Sequence, residues 1–263
     1  MHDLITLTRT GPVATLTLQR PALHNAFNPE LIAAIHAACT ELATDPTVRV
    51  VVLQGAGPSF CAGADLNWMR ASQQFSHTEN LADAARLDAM LAALNGLPQA
   101  VIGRIHGAAL GGGVGLVACC DLVIAAEEAR FGLTEVRLGL LPAVIARFVV
   151  AKIGPSHARA LFTTGRRFTA SHALSLGLVH EVVPATQLDL AVDRATNDLL
   201  HCGPQAVAAS KALIAAVTSL DPATAAEYAI RAIAAARTSP EGQEGLSAFL
   251  SKRSPTWVPS DPA

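Results

Sequence analysis

Residues 13–18 alternate apolar or small side chains with threonines, the period-two pattern of a strand with one buried face. Asn28 before Pro29 reads as a helix start, because asparagine caps orphan N–H groups and proline is pre-set for the first turn. Leu31, Ile35, Cys39 and Leu42 then recur at helical spacing. An apolar run at 48–53 predicts a buried strand, residues 79–95 an amphipathic helix, and residues 101–105 and 122–126 two further strands. A short helix is expected between those last two, directly after a run of glycines. Strands alternating with helices predict an α/β architecture. From about Pro155 onward strand patterns nearly vanish. Helices are expected there at 155–163, 170–176, 187–201, 204–218, 222–237 and 240–252, with residues 255–263 as a loose tail. No internal repeat or linker interrupts the chain.

Composition narrows the function classes. A chain of 263 residues can bury a substantial core as one large domain or as a domain with an appendage. With 51% hydrophobic and 15% charged residues, some apolar surface is expected to lie between subunits. A formal net charge of −2 without runs of like charge gives no electrostatic case for nucleic acid. The most apolar span, 100–126, is interrupted by Arg104, His106, Asp121 and several glycines, so it falls short of the roughly 20 apolar residues of a membrane helix. Met1-His2-Asp3-Leu4 shows no basic region leading into an apolar stretch, so no secretory signal is read. The 5 cysteines form no C-x-x-C pair and suit free thiols in a reducing compartment. A cytoplasmic protein is expected.

The chemistry concentrates in two small-residue segments and one acid. Gly107 to Gly115 contains Gly111-Gly112-Gly113 at the entry to a short helix. Glycine lets a backbone approach a ligand closely, and a helix N-terminus presents unpaired N–H groups. Upstream, Ala62-Gly63-Ala64 leaves a second stretch of backbone bare. Two such N–H donors converging on one oxygen would stabilise an oxyanion, and Glu135 nearby could move protons. A dinucleotide site is the rival for Gly113-Val114-Gly115-Leu116-Val117-Ala118, with acids following at Glu127 and Glu128. That site needs a full crossover helix, and too few residues separate Val114 from Asp121 to form one. Glu135 would ordinarily be a solvated acid, but its neighbours Leu133, Val136 and Leu138 are apolar. Asp65 reads as the cap of a short helix. The 9 histidines show no metal-ligand spacing, and no metal is expected.

Phe60-Cys61-Ala62-Gly63-Ala64-Asp65-Leu66, then Gly107 to Gly113, then Glu135-Val136-Arg137-Leu138-Gly139, resemble the three motifs of the enoyl-CoA hydratase/isomerase (crotonase) family in their order. Arg20-Pro21 with Asn25-Ala26, and Ala248 to Arg253, resemble its early CoA loop and closing helix. The resemblance implies a crotonase-like spiral of strand-strand-helix units with a C-terminal helical trimerisation region. Residues 1–200 would form the core with the acyl-CoA site and 201–263 the oligomerisation helices. It implies Glu135 as catalytic acid–base and the backbone N–H groups of Ala64 and Gly112 as the oxyanion hole. Leu23, His24, Ala26, Ala62, Asp65, Leu66 and Gly111 would contact the substrate's CoA and acyl chain, with Phe249 and Lys252 reaching CoA on a neighbouring subunit. No cofactor is implied beyond the coenzyme A of the substrate, and the expected assembly is a homotrimer or a dimer of trimers.

The chain also departs from the family. Many of its hydratases carry a second glutamate at the position of Gly115, and the glycine-rich segment after the catalytic acid is altered here to Pro142-Ala143-Val144-Ile145-Ala146. Ala64 to Met69, Gly115-Leu116 before Cys119-Cys120-Asp121, Glu135 to Leu140, and Glu241-Gly242-Gln243-Glu244-Gly245 look like the bacterial 3-methylglutaconyl-CoA and isohexenylglutaconyl-CoA hydratases of leucine and acyclic-terpene breakdown. Those substrates carry a free carboxylate, and Arg137 is expected to pair with it; Arg147 and Arg166 are alternatives. Hydration of a branched enoyl-CoA is therefore the leading expectation. A Δ3-Δ2-enoyl-CoA isomerase and a non-catalytic acyl-CoA-binding protein stand behind it.

Overall fold

The computed structural model describes residues 4–259. In chain order the elements are β1 (Ile5–Thr10), β2 (Val13–Leu18), α1 (Pro29–Ala43), β3 (Val50–Gly55), α2 (Leu66–Ser72), α3 (His77–Asn95), β4 (Ala100–Ile105), β5 (Ala108–Leu110), α4 (Gly112–Cys119), β6 (Leu122–Ala126), β7 (Arg130–Gly132), α5 (Ala146–Thr164), β8 (Arg167–Thr169), α6 (Ala170–Ser175), β9 (Glu181–Val183), α7 (Leu188–Leu200), α8 (Pro204–Ser219), α9 (Pro222–Thr238) and α10 (Pro240–Leu250). Six strands form one sheet in the order β1-β2-β3-β4-β6-β9, parallel except for the β1–β2 hairpin. The short strands β5, β7 and β8 form a second sheet. The chain steps from the large sheet to the small one and back, β4 to β5, β6 to β7, and β8 to β9. Each step is one turn of a spiral.

Side-chain alternation decides which layer covers each face. Val51 and Leu53 of β3 point into the main core with α1, α3 and α4. Val50 and Val52 point the other way, into a smaller core covered by Leu188, Ala191 and Val192 of α7. A parallel strand buried on both faces reads as an unbroken apolar run, which is why β3 was visible in the sequence. Asn28 caps α1 through a 2.9 Å bond from the Leu31 N–H, and Asp65 caps α2.

Three expectations change. β3 begins at Val50 rather than residue 48. Strand structure does not end near Pro155: β8 joins the small sheet and β9 adds the sixth strand of the large one. Three-residue strands are too short to show an alternation. The helix expected at 155–163 is the second half of α5, which starts at Ala146 and is broken at Gly154, before Pro155.

Residues 255–259 are not a loose tail. Arg49 donates to the Trp257 carbonyl at 2.6 Å and to those of Leu200 and Cys202 at 2.9 and 2.7 Å. Trp257 Nε1 donates to the His201 carbonyl at 3.2 Å. The Glu241–Gly245 motif builds this clamp. Glu241 accepts from the Gln205 and Ala206 N–H groups at the start of α8, and Glu244 accepts two bonds from Arg253, both 2.7 Å, and one from the Thr256 N–H. Residues 260–263 of the expected tail, and residues 1–3 at the start, lie outside the described residues. Among the described residues, no helix is long and apolar enough to cross a membrane.

Candidate active site

Two loops are held side by side by backbone hydrogen bonds. Phe27 N–H donates to the Gly63 carbonyl at 2.7 Å and Asp65 N–H to the Phe27 carbonyl at 2.8 Å. Cys61 N–H donates to Ala108 O, and Leu110 N–H to Cys61 O, both at 2.9 Å. The 62–64 segment is thereby fixed against the glycine turn that opens α4. Ala64 N–H, between two bonded neighbours, donates to no group among the described residues, and Gly112 N–H heads α4 with no intrahelical acceptor. Both residues line one cavity of about 550 Å³.

Glu135 lines the same cavity. It opens a 3-10 turn, Glu135–Leu138, that follows β7 and is closed by Gly139 in the left-handed region. The turn brings the carboxylate against the glycine segment. A Cβ added to Gly111 would lie 3.1 Å from Glu135 Oε1, and Gly111 itself sits at φ +50. Only glycine satisfies both demands at that position. Glu135 Oε2 is buried without a hydrogen-bond partner. Burial pushes the carboxyl above the usual glutamate range, and a bond from its own backbone N–H offsets part of this. A carboxylate raised in this way is a stronger base than an exposed glutamate.

The remaining walls are mostly apolar: Phe27, Leu66, Leu110, Leu138, Leu140, Leu141 and the 142–145 segment. Helix α3 contributes Asn80, Asp83, Ala84 and Leu87, one helical face. Trp68, Met69 and Arg167 complete the polarisable and charged lining.

The sequence-predicted residues separate into groups. Ala62, Ala64, Leu66, Gly111, Gly112 and Glu135 converge on the cavity. Asp65 does not. It is buried and held by Arg20 at 2.8 Å while accepting from Asn67 N–H at 2.7 Å. Burial raises its carboxyl, but Arg20 and the α2 cap N–H groups outweigh this and hold it below the usual aspartate range. Asp65 positions the Ala64 loop. Leu23, His24 and Ala26 form the adjacent turn, with His24 Nδ1 3.0 Å from Ser59 Oγ and its carbonyl accepting from Ala62 N–H. Phe249 is 80% exposed and Lys252 follows the end of α10; neither lines this chain's cavity.

Arg137 is the clearest displacement. Its side chain runs along Gly165, where an added Cβ would meet Arg137 Cγ at 3.1 Å, and it lies outside the cavity lining. A 3-10 turn rotates successive residues by a third of a turn, so Glu135 and a residue two positions on face different directions. Arg147 is paired with Asp88 at 2.9 Å and Arg166 lies 3.4 Å from His172. The arginine that does line the cavity, Arg167, was not singled out from sequence. Asp83 was equally overlooked, although Asp83, Leu87 and Leu91 recur every four residues and put an acid on an apolar stripe.

Residues 8–259 match the family model described as enoyl-CoA hydratase/isomerase. The chain belongs to this family. The 2,3-dehydroadipyl-CoA hydratase of Escherichia coli is 36% identical over 98% of this chain and 99% of its own length. The crotonyl-CoA hydratase of Syntrophomonas wolfei is 32% identical, covering 98% of each chain. Among solved structures, AtuE of Pseudomonas aeruginosa superposes with a TM-score of 0.94 at 36% identity, covering 98% of this chain and 100% of that one. The fold is the crotonase fold, with its C-terminal helices.

Gly115, the position expected from the resemblance to differ from many of the family's hydratases, is packed against a wall. A Cβ added at Gly115 would lie 2.4 Å from Ile145 Cγ2, 3.1 Å from Ile145 Cβ and 3.6 Å from Leu91 Cδ2. Ile145 is 3% exposed and belongs to the altered segment that lines the cavity. Hydrocarbon fills the space that a side chain at 115 would need.

Proposed function

We propose that this protein is an enoyl-CoA hydratase that adds water across the 2,3 double bond of an acyl-CoA thioester, using Glu135 as its one acid–base group. The observation that carries the reading is the convergence, on one cavity, of a carboxylate whose Oε2 has no partner with two backbone N–H groups that have none among the described residues. The N–H groups of Ala64 and Gly112 hold the thioester oxygen as negative charge develops on it. Glu135 takes a proton from water as the water oxygen bonds to C3. The enolate then takes that proton back from Glu135 at C2. One H and one OH are added, and the carboxylate is regenerated. Coenzyme A enters with the substrate; the family usually needs no cofactor.

The acyl chain we favour is a branched glutaconyl chain with a second carboxylate, as in leucine or acyclic-terpene breakdown. Its support is the motif pattern at 64–69, 135–140 and 241–245, the likeness to a relative named for a dicarboxylic thioester, and a cation in the cavity wall. Leu23, His24, Ala26, Ala62, Leu66 and Gly111 are the proposed CoA and acyl contacts, with Asp65 supporting them. The segment from residue 201 is proposed to build a trimer or a pair of trimers. Ile214, Ile230, Ile233, Phe249 and Leu250, all more than half exposed, supply the apolar surface. Phe249 and Lys252 would then reach CoA on a neighbour. Free, mostly buried thiols suit a cytoplasmic setting.

The filled slot at Gly115 favours a second reading, a Δ3-Δ2-enoyl-CoA isomerase, because moving a proton between C4 and C2 needs only one carboxylate. A turnover panel of crotonyl-CoA, 3-methylglutaconyl-CoA and a 3-enoyl-CoA decides between them. Hydration of either 2-enoyl thioester at a rate that Glu135→Gln abolishes supports the hydratase. Turnover of the 3-enoyl thioester alone selects the isomerase.

A further inference from the structure

We propose that Arg167 is the residue that reads the acyl carboxylate, a role the sequence pattern had suggested for Arg137. The proposal rests on the dicarboxylic reading above and names the group that would enforce it. Arg167 is the cation among the cavity-lining residues. Arginines elsewhere hold carboxylates, Arg147 on Asp88 and Arg253 on Glu244 among them. Arg167 has no hydrogen-bond or ion-pair partner among the described residues. The two acids of the cavity do not neutralise it. Asp83 is held by Arg86 at 2.7 Å, and Glu135 Oε2 has no partner at all. A guanidinium left unpaired beside apolar walls is suited to an anion brought by the ligand, and its planar fork fits a carboxylate through two bonds.

Arg167 is exposed, and the sheet places the base of its side chain. Arg167 sits on β8 in register with Gly132 of β7. Its Cγ lies 3.2 Å from where a Cβ on Gly132 would be, so it lies flat over a residue with no side chain. The Gly132 carbonyl in turn accepts the Gly111 N–H at 2.8 Å. One short strand pair, whose Gly132 lies three residues before Glu135, therefore ties the cation to the turn that aims the Gly112 N–H. Ligand charge and thioester oxygen would be read from a common frame. Arg137 packs along Gly165, and neither Arg137 nor Arg166 lines the cavity.

The anion could be the acyl carboxylate or a phosphate of CoA, and two substrates that share CoA separate them. Wild type, Arg167→Leu, Arg167→Lys and Arg137→Leu are assayed for kcat/KM on 3-methylglutaconyl-CoA and crotonyl-CoA, with circular dichroism to establish folding. Arg167→Leu is expected to lose about 10- to 150-fold on the dicarboxylic thioester and to keep its rate on crotonyl-CoA. Arg167→Lys, which keeps the charge and loses the fork, is expected to fall between. If Arg167→Leu does not fold, Arg167→Gln takes its place. Equal losses on both substrates would assign Arg167 to CoA and overturn the proposal, as would a larger loss from Arg137→Leu than from Arg167→Leu. A wild-type enzyme with no preference for the dicarboxylic thioester would refute the substrate reading itself, whatever the variants do.

Discussion

Gly115→Ala is the most exacting test of why position 115 carries no side chain. In an open helix the change should stabilise, since alanine exceeds glycine by about 0.8–1 kcal/mol in helix propensity. Gly115 lies within α4, and its new Cβ would sit 2.4 Å from Ile145 Cγ2, where ordinary contact begins near 3.4 Å. The gap is short by roughly one ångström. Ile145 cannot swing aside, because its own Cβ is 3.1 Å away and a β-branched side chain is stiff at χ1. The strain must move the start of α5 or the cavity wall. Overpacking of this kind costs about 1–3 kcal/mol, which exceeds the propensity gain, so Gly115→Ala should lower Tm by a few degrees at about 2–4 °C per kcal/mol. Ile145→Ala alone should cost about 2–5 kcal/mol. In that background Gly115→Ala should become neutral or stabilising, a change of sign. Thermal melts of the four proteins at one fixed concentration measure it, fixed because assembly shifts Tm. Additivity within about 0.3–0.5 kcal/mol would show that Ile145 does not close the slot.

Glu135→Gln should lower kcat by about 10²–10⁴ while acyl-CoA binding measured by calorimetry is retained; near-full turnover would reduce Glu135 to a structural residue. Because burial raises the Glu135 carboxyl, kcat/KM should fall on the acid side with a midpoint above the ordinary 4.5. The same shift makes the folded state bind more protons than the unfolded one, so this group's contribution to stability is fully present below pH 4.5 and lost as pH rises through the folded value. Glu135→Gln should accordingly melt higher than wild type at neutral pH and lose that advantage under acid. Asp65 has the opposite sign: its depressed carboxyl contributes above pH 3.8 and the contribution is lost as pH falls through the folded value. Asp65→Ala, which leaves Arg20 mostly buried and unpaired, should cost about 3–5 kcal/mol in denaturant unfolding. Sedimentation at micromolar concentration should give a trimer or hexamer, and an active monomer would contradict the proposed use of α8–α10.

How far the sequence could be read follows from how local each feature is. β2, α1, β4 and β6 are set by runs of side chains on one element, and their periodicities showed them. The cavity's inner wall was legible for a different reason: Ala62, Ala64, Gly111, Gly112 and Glu135 lie in compact motifs whose order matches the family. Arg167 and Asp83 carried no comparable signal. Arg167 belongs to a three-residue strand, and its place in the cavity depends on β7 pairing with β8 across more than thirty residues. Arg137 looked better placed because it lies two positions past Glu135 along the chain, and a 3-10 turn sends the two in different directions.

Two departures that the sequence displayed as unrelated are one packing event. The missing acid at 115 and the bulkier segment at 142–146 lie thirty residues apart, and nothing in their spacing couples them. In space Ile145 occupies the room that any side chain at 115 would need. The glycine is therefore what lets the isoleucine in, and a carboxylate at 115 is compatible only with a small residue at 145. Gly115→Glu by itself should then unfold or expel Ile145 rather than supply a second acid. Gly115→Glu with Ile145→Gly restores the room, and of the two variants it is the one expected to fold with a carboxylate at 115. The absence of a carboxylate at 115 is thus maintained by apolar packing, and the acid–base chemistry cannot be altered at 115 without first altering the wall at 145.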